Sequence, residues 1–162
     1  MTWNVTPEHP ASPTAAALWR AYYTEVSDRY YRLHENRRTD PAELEREVTQ
    51  QTGSELTPPT GQLLVARYAG EPAGTAGVRI RPDGSAELTR VYLREELRGK
   101  GGGALLVTAA ESAARTLGAT HLVLETRKDL TEALTLYARL GYKEIEPYSD
   151  DIYADHTLGK PL

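Results

Sequence analysis

The segment Arg98-Gly99-Lys100-Gly101-Gly102-Gly103 carries the residue pattern that most directly implies chemistry in this chain. Consecutive glycines at a helix entrance are unfavourable, because each loses more chain entropy on folding than an alanine would. What glycine gives in return is close approach of backbone N–H groups to an anion, assisted by the partial positive charge of a helix N-terminus. Arg98 and Lys100 add positive charge at the same place. A flexible turn is the plainer reading, but a turn seldom needs Gly99, Gly101, Gly102 and Gly103 together. A Walker-type loop does not fit: Lys100 is followed by Gly101 rather than Ser or Thr, and position 94, where an earlier glycine would stand, is Arg. Gly99–Ala104 formally matches the dinucleotide pattern G-x-G-x-x-A. That fingerprint starts directly after the first strand of a parallel unit, whereas here Arg94–Arg98 intervene. The segment is expected to cradle the pyrophosphate of a nucleotide cofactor.

The neighbouring elements must hold this loop at the start of a helix. Ala104 to Leu117 reads as that helix, with Leu105, Leu106, Ala109, Ala113 and Leu117 on one face and Gly118 as its C-cap. Upstream lie three strand-like runs, Gln62–Tyr68, Ala73–Ile80 and Ala86–Leu93, with turn signals at Gly70-Glu71-Pro72 and Pro82-Asp83-Gly84. Connections this short imply antiparallel neighbours. Downstream, His121–Thr126 reads as a strand. Asp129 with Glu132 is expected to cap a last helix that carries Leu130, Ala133, Leu134, Tyr137 and Leu140 and ends at Gly141. Tyr142–Glu146 and Ile152–Leu158 are expected as terminal strands. Residues 1–11 give a weak strand signal. Ser12-Pro13 then reads as N-cap and first helical position, ahead of Trp19, Tyr22, Tyr23, Val26, Tyr30 and Leu33 at helical spacing. Asp40-Pro41 with Glu43 opens a second, charged helix through about Gln50, and residues 52–61 read as a loop. The content is α/β with a mixed sheet.

A length of 162 residues fits one domain spanning 1–162. With 40% hydrophobic and 26% charged residues, the composition is that of a soluble globular protein. A net charge of −4 argues against nucleic acid as a partner and favours cationic substrates. The absence of cysteine excludes disulfides, Cys-ligated zinc and a Cys nucleophile. His9, His34, His121 and His156 lack metal-ligand spacing, so no metal is expected. Without a signal segment or long apolar run, no membrane partner is expected and a cytoplasmic location is the default. Aromatic usage is skewed, with ten Tyr, two Trp and no Phe, so much of the aromatic volume carries a hydroxyl.

Four motifs together resemble the GNAT superfamily of N-acetyltransferases. Arg98–Gly103 fits the family signature Arg/Gln-x-x-Gly-x-Gly/Ala. Ala86–Leu93 is similar to the family's fourth strand and Leu122–Thr126 to its fifth. Ala133–Tyr142 resembles the Ala-x-x-x-Tyr-x-x-x-Gly-Phe/Tyr segment. The resemblance covers residues 62–162 and is diffuse before that. It implies a GNAT fold: a mixed, mostly antiparallel sheet of six to seven strands flanked by about four helices. It also implies acetyl-CoA as co-substrate, lying between strands that splay apart.

On that resemblance, backbone groups of Val91 and Leu93 would bond the acetyl carbonyl and pantetheine arm. N–H groups of Arg98, Gly99, Lys100, Gly101, Gly102, Gly103 and Ala104 would hold the pyrophosphate. A backbone N–H near Val91 would donate to the developing oxyanion. Many members have Asn where this chain has Leu130, so that contact is expected to be either absent or supplied by a neighbour, Thr131 or Thr126. Tyr137 is the expected general acid toward the departing thiolate, or else a core residue on the apolar helix face. Glu87 is the expected general base, since an amine at neutral pH must lose a proton before attack. Glu125 is a weaker candidate, and a solvent-exposed strand Glu is the plain alternative for Glu87. Simple alternation would put Glu87, Thr89, Val91 and Leu93 on one face. Trp19, Tyr22, Tyr23, Tyr30 and Tyr31 could line the acceptor side or simply be core. Arg79 is either structural or a holder of an acidic substrate group. Tyr148 and Tyr153 flank an acidic turn, Asp150-Asp151. The expected reaction is direct acetyl transfer in a ternary complex to a primary amine of a small molecule, with aminoglycoside antibiotics, polyamines and amino acids as acceptor classes. A protein or peptide N-acetyltransferase and a non-catalytic acyl-CoA-binding module are the alternatives. A homodimer through the terminal strands is compatible with the family.

Overall fold

The computed structural model describes residues 2–50 and 52–162. The chain opens with strand β1 (Trp3–Glu8), helix α1 (Pro13–Glu35) and helix α2 (Pro41–Gln50). Ser12 caps α1 by accepting from the Ala15 N–H, and Asp40 caps α2 by accepting from the Ala42 N–H. A meander follows: β2 (Gly61–Tyr68), β3 (Glu71–Ile80) and β4 (Ala86–Leu93). After one 3-10 turn at Glu95–Leu97 come α3 (Gly102–Thr116), β5 (His121–Thr126), α4 (Thr131–Arg139), β6 (Lys143–Glu144) and β7 (His156–Pro161). The seven strands form one sheet in the order β1-β2-β3-β4-β5-β7-β6, antiparallel except between β4 and β5. Among the described residues, no helix is long and apolar enough to cross a membrane.

Helices cover both faces. On one, Leu106, Val107, Ala110 and Ala114 of α3 pack against Leu64, Ala76, Val78 and Leu88 of the meander, and Leu122 and Leu124 of β5 join them. On the other, Ala15, Leu18 and Trp19 of α1 pack against Leu63, Val65 and Tyr92, with Leu56 from the loop before β2. The β4–β5 seam is short. Only Ala86↔Leu122 and Glu87↔Val123 pair, and beyond them the strands diverge. The sheet is therefore two antiparallel halves joined over two residue pairs and open as a wedge.

Three expectations need correction. First, β7 runs His156–Pro161 rather than Ile152–Leu158, and β6 is only Lys143–Glu144. Ile152 is 83% exposed, so the apolar pair Ile152-Tyr153 belongs to a turn and not to a strand. Second, α3 starts at Gly102, which places Gly102 and Gly103 inside its first turn. Third, Asp129 does not cap α4. The cap position is Leu130, which makes no side-chain bond there, because the Asp129 carboxylate is held by Arg127 at 2.9 Å through both oxygens. Of the two readings open for Trp19, the core one holds: it packs with Ala15, Leu56 and Leu63 and does not line the cavity described below.

Candidate active site

The glycine segment is shaped by three different constraints. Gly101 adopts φ +88°, a region closed to most side chains. Gly102 lies against the Trp3 ring of β1, where a Cβ would come within 2.4 Å of it. Trp3 also donates its indole N–H to the Lys100 carbonyl at 3.0 Å, fixing the loop from above. Gly103 faces Leu136 of α4, where a Cβ would approach to 3.2 Å. Arg98 braces the loop from the side. Its Nε donates to the Leu93 carbonyl at 2.9 Å, and its Nη2 to both Glu25 oxygens of α1 at 2.8 and 2.7 Å. The Arg98 amide donates to Glu95, whereas the N–H groups of residues 99–104 find no acceptor among the described residues. Six backbone donors thus cluster where the positive end of α3 begins, an arrangement suited to an anion.

The wedge between β4 and β5 opens into a cavity of about 520 Å³. Its floor is β4 from Glu87 to Val91. Leu124–Thr126 of β5 and Leu130, Ala133 and Tyr137 of α4 form one wall, and Tyr22, Tyr23, Tyr30 and Tyr31 of α1 the other. A bulge in β4 sets which side chains face where. Gly77 pairs with Thr89 but Thr75 with Tyr92, so Arg90 and Val91 together oppose Ala76. Arg90 takes φ +54° at this point. The bulge reverses alternation, so Glu87 and Thr89 lie on the α1 face while Val91 and Leu93 pack with the α3 cluster. The expectation that all four share a face fails for that reason.

Glu87 is 7% exposed and fully engaged. Oε1 accepts from Arg79 at 2.8 Å (Nε) and 2.6 Å (Nη2), and Oε2 accepts from the Tyr148 hydroxyl at 2.7 Å. Arg79 thus partners Glu87. Tyr148 comes from the segment between β6 and β7, and its pKa is pushed up by burial and by the Glu87 carboxylate. Tyr137 is 5% exposed, and its hydroxyl has no hydrogen-bond partner among the described residues. Burial pushes its pKa upward, and the nearby Tyr22 adds to this. Burial likewise pushes Tyr23 up to about 12.

A family model described as acetyltransferase (GNAT) family matches residues 16–142. The chain belongs to the GNAT family. An uncharacterized N-acetyltransferase of Schizosaccharomyces pombe is 40% identical over 96 residues, which is 56% of this chain and 57% of that protein. The uncharacterized N-acetyltransferase YjgM of Escherichia coli is 34% identical over 85 residues, 51% of each chain. The chain thus spans about half the length of these curated relatives. An IAA acetyltransferase of Azospirillum brasilense is 30% identical over 109 residues, covering 67% of this chain and 69% of that one. Among solved structures, a Klebsiella pneumoniae protein described as an acyl-CoA N-acyltransferase superposes with a TM-score of 0.72 at 27% identity, covering 99% of this chain and 98% of that chain. The PaiA N-acetyltransferase of Thermoplasma acidophilum, solved in complex with coenzyme A, gives 0.72 at 17% identity over 100% of both chains and shows the shared fold.

In this GNAT chain, Glu87, Arg79, Val91, Thr126, Tyr137, Tyr22, Tyr23 and Tyr30 all border one cavity, together with Tyr31 and Glu125. Leu130 borders it too, while Thr131 does not. Leu93 and the 98–104 segment lie beyond its edge, where the Arg98 Nε donates to the Leu93 carbonyl. Several supporting residues escaped the sequence reading. Trp3 and Glu25 fix the loop from 97 and 73 residues away, and Tyr148 reaches Glu87 across 61. Arg29 donates to the Asp129 carbonyl and pairs with Glu132, tying the β5–α4 connection to α1. No local spacing signals such long-range contacts.

Proposed function

We propose that this GNAT chain transfers the acetyl group of acetyl-CoA to the primary amine of a small molecule. The observation that carries the reading is that Glu87 and Tyr137, from opposite sides of the β4–β5 wedge, face one cavity beside a helix N-terminus with unpaired backbone donors. Those donors, on residues 99–104, fit a pyrophosphate, and the open, Cβ-free face of Gly101 suits close approach. Thr126 and Leu130 line the path for a pantetheine arm, with Leu130 offering packing in place of a hydrogen bond. Acetyl-CoA supplies the activated acetyl thioester. Val91, released from regular pairing by the bulge, is the candidate backbone donor toward the acetyl oxygen. Glu87 takes the proton of the incoming ammonium at a carboxylate oxygen, directly or through water. Arg79 and Tyr148 hold that carboxylate in place. Tyr137 gives its hydroxyl proton to the departing sulfur. A cavity of about 520 Å³ is of small-molecule size.

The test is thiol release from acetyl-CoA across a panel of amines, peptides and aminoglycosides. The expected result is release that depends on a small amine, with the pH–rate profile altered in Glu87→Gln. Coenzyme binding without turnover on any acceptor would overturn the reading in favour of a binding module. A Glu87→Gln profile of wild-type shape would remove Glu87 from the role of base.

A further inference from the structure

Arg90 is a nearly buried cation with no counter-ion among the described residues. It is 6% exposed, yet among the described residues no carboxylate lies within salt-bridge distance and its Nη1 has no hydrogen-bond partner. Its backbone carbonyl accepts from the Thr75 hydroxyl at 2.8 Å. The guanidinium lies over the Trp19 ring at 4.1 Å, with Tyr23 at 5.9 Å. Stacking offsets part of the cost of burying the charge. It leaves Nη1 without an acceptor among the described residues, and an unpaired buried charge is strongly unfavourable. The other cavity arginines are satisfied: Arg79 pairs with Glu87 and Arg127 with Asp129. Glu47 and Glu55 border the same cavity but are exposed and form no ion pair with Arg90.

Position adds to the argument. Arg90 borders the cavity, and in the bulge it stands next to Val91. A ligand group held by Arg90 would occupy the same cavity as Glu87 and Tyr137.

Resting on the acetyl-transfer reading above, we infer that the acceptor is a short amino carboxylic acid whose carboxylate is bound by the Arg90 guanidinium. A carboxylate matches the planar fork and supplies the missing negative charge. The acidic groups around the cavity, Glu87 and Glu125 among them, then face the ammonium end of the same zwitterion.

The experiment is isothermal titration, with CoA present, of glycine, β-alanine and 4-aminobutyrate, each against its carboxamide and against 1,4-diaminobutane. The same compounds are run in the thiol-release assay. At least one amino carboxylate is expected to bind roughly 10- to 100-fold tighter than its carboxamide, the range for a hydrogen bond to a charged group. Arg90→Gln and Arg90→Lys should both collapse that gap. The Lys variant keeps the charge and loses the fork, and it serves if the Gln variant fails to fold. Equal binding of carboxamides or diamine, or no binding by any amino carboxylate, overturns the inference. With thiol release intact, that outcome leaves acetyl transfer standing. Arg90-dependent carboxylate binding without thiol release from any amine would do the reverse.

Discussion

The Tyr137 hydroxyl faces a cavity with no hydrogen-bond partner in the chain, among the described residues, and burial pushes its pKa upward. A phenol in that setting stays protonated at neutral and mildly alkaline pH, so it can act as a proton donor and not as a base. Tyr137→Phe removes the proton and leaves the ring packed against Tyr142, whose centroid is 5.7 Å away. We expect kcat to fall by roughly 10²- to 10⁴-fold, the range for loss of a general acid. The melting temperature should be unchanged, as should the wild-type-to-variant ratio from about pH 6 to about pH 9, well below the ordinary tyrosine pKa. Turnover within a few-fold of wild type, measured by thiol release, would show that Tyr137 is a packing residue only. Tyr137 was singled out by its place in the Ala133–Tyr142 motif and Glu87 by its place on the strand Ala86–Leu93, and both border the cavity. Arg90 was not: its orientation depends on a one-residue bulge, and nothing local in Thr89-Arg90-Val91 announces one.

At the level of elements, the glycine loop owes its shape to a strand far away in the chain. Trp3 belongs to β1, where the sequence signal was weak, yet its ring covers Gly102 and its indole N–H holds the Lys100 carbonyl. The same long-range dependence explains the misplaced terminal strands. Ile152-Tyr153 is apolar and strand-like locally, but β7 is set by six pairs with β5, from Thr126↔His156 to His121↔Pro161. The meander, by contrast, was readable because turns such as Pro82-Asp83-Gly84 force local pairing. A Gly102→Ala substitution would drive a methyl into the Trp3 ring and displace the loop's brace. We expect weaker acetyl-CoA binding by about tenfold or more and a lower melting temperature, consistent with core overpacking. Adding Trp3→Ala removes the clash, so the double variant should bind the coenzyme better than the sum of the single effects allows. Strict additivity by calorimetry would mean that Gly102 serves only the approach of the ligand.

Across the whole molecule, the absence of Phe and the ten Tyr make hydroxyl-bearing rings part of both halves of the wedge. Tyr23 packs on the α1 side, with its pKa pushed up to about 12 by burial. Tyr142 ties the α3 side together by donating to Glu111 at 2.8 Å, where Lys160 of β7 also donates at 3.0 Å, and its pKa rises through burial and that carboxylate. Tyr137 and Tyr148 shift the same way on either side of the cavity. In each case the folded chain holds the phenol proton more tightly than the unfolded chain does. The sign follows from linkage: where the folded state binds more protons, stability falls as pH rises. The contribution is intact below about pH 10, the unfolded tyrosine pKa, and for Tyr23 is lost as pH climbs toward about 12. Because these rings occupy both faces of a sheet joined over only two residue pairs, their ionisation should not proceed ring by ring in an intact fold. Absorbance of tyrosinate near 295 nm and far-UV circular dichroism, followed together through an alkaline titration, should change in one cooperative step above about pH 10. A gradual tyrosinate rise with the dichroism unchanged would mean that the rings ionise within the fold and that their burial carries little of its alkaline stability.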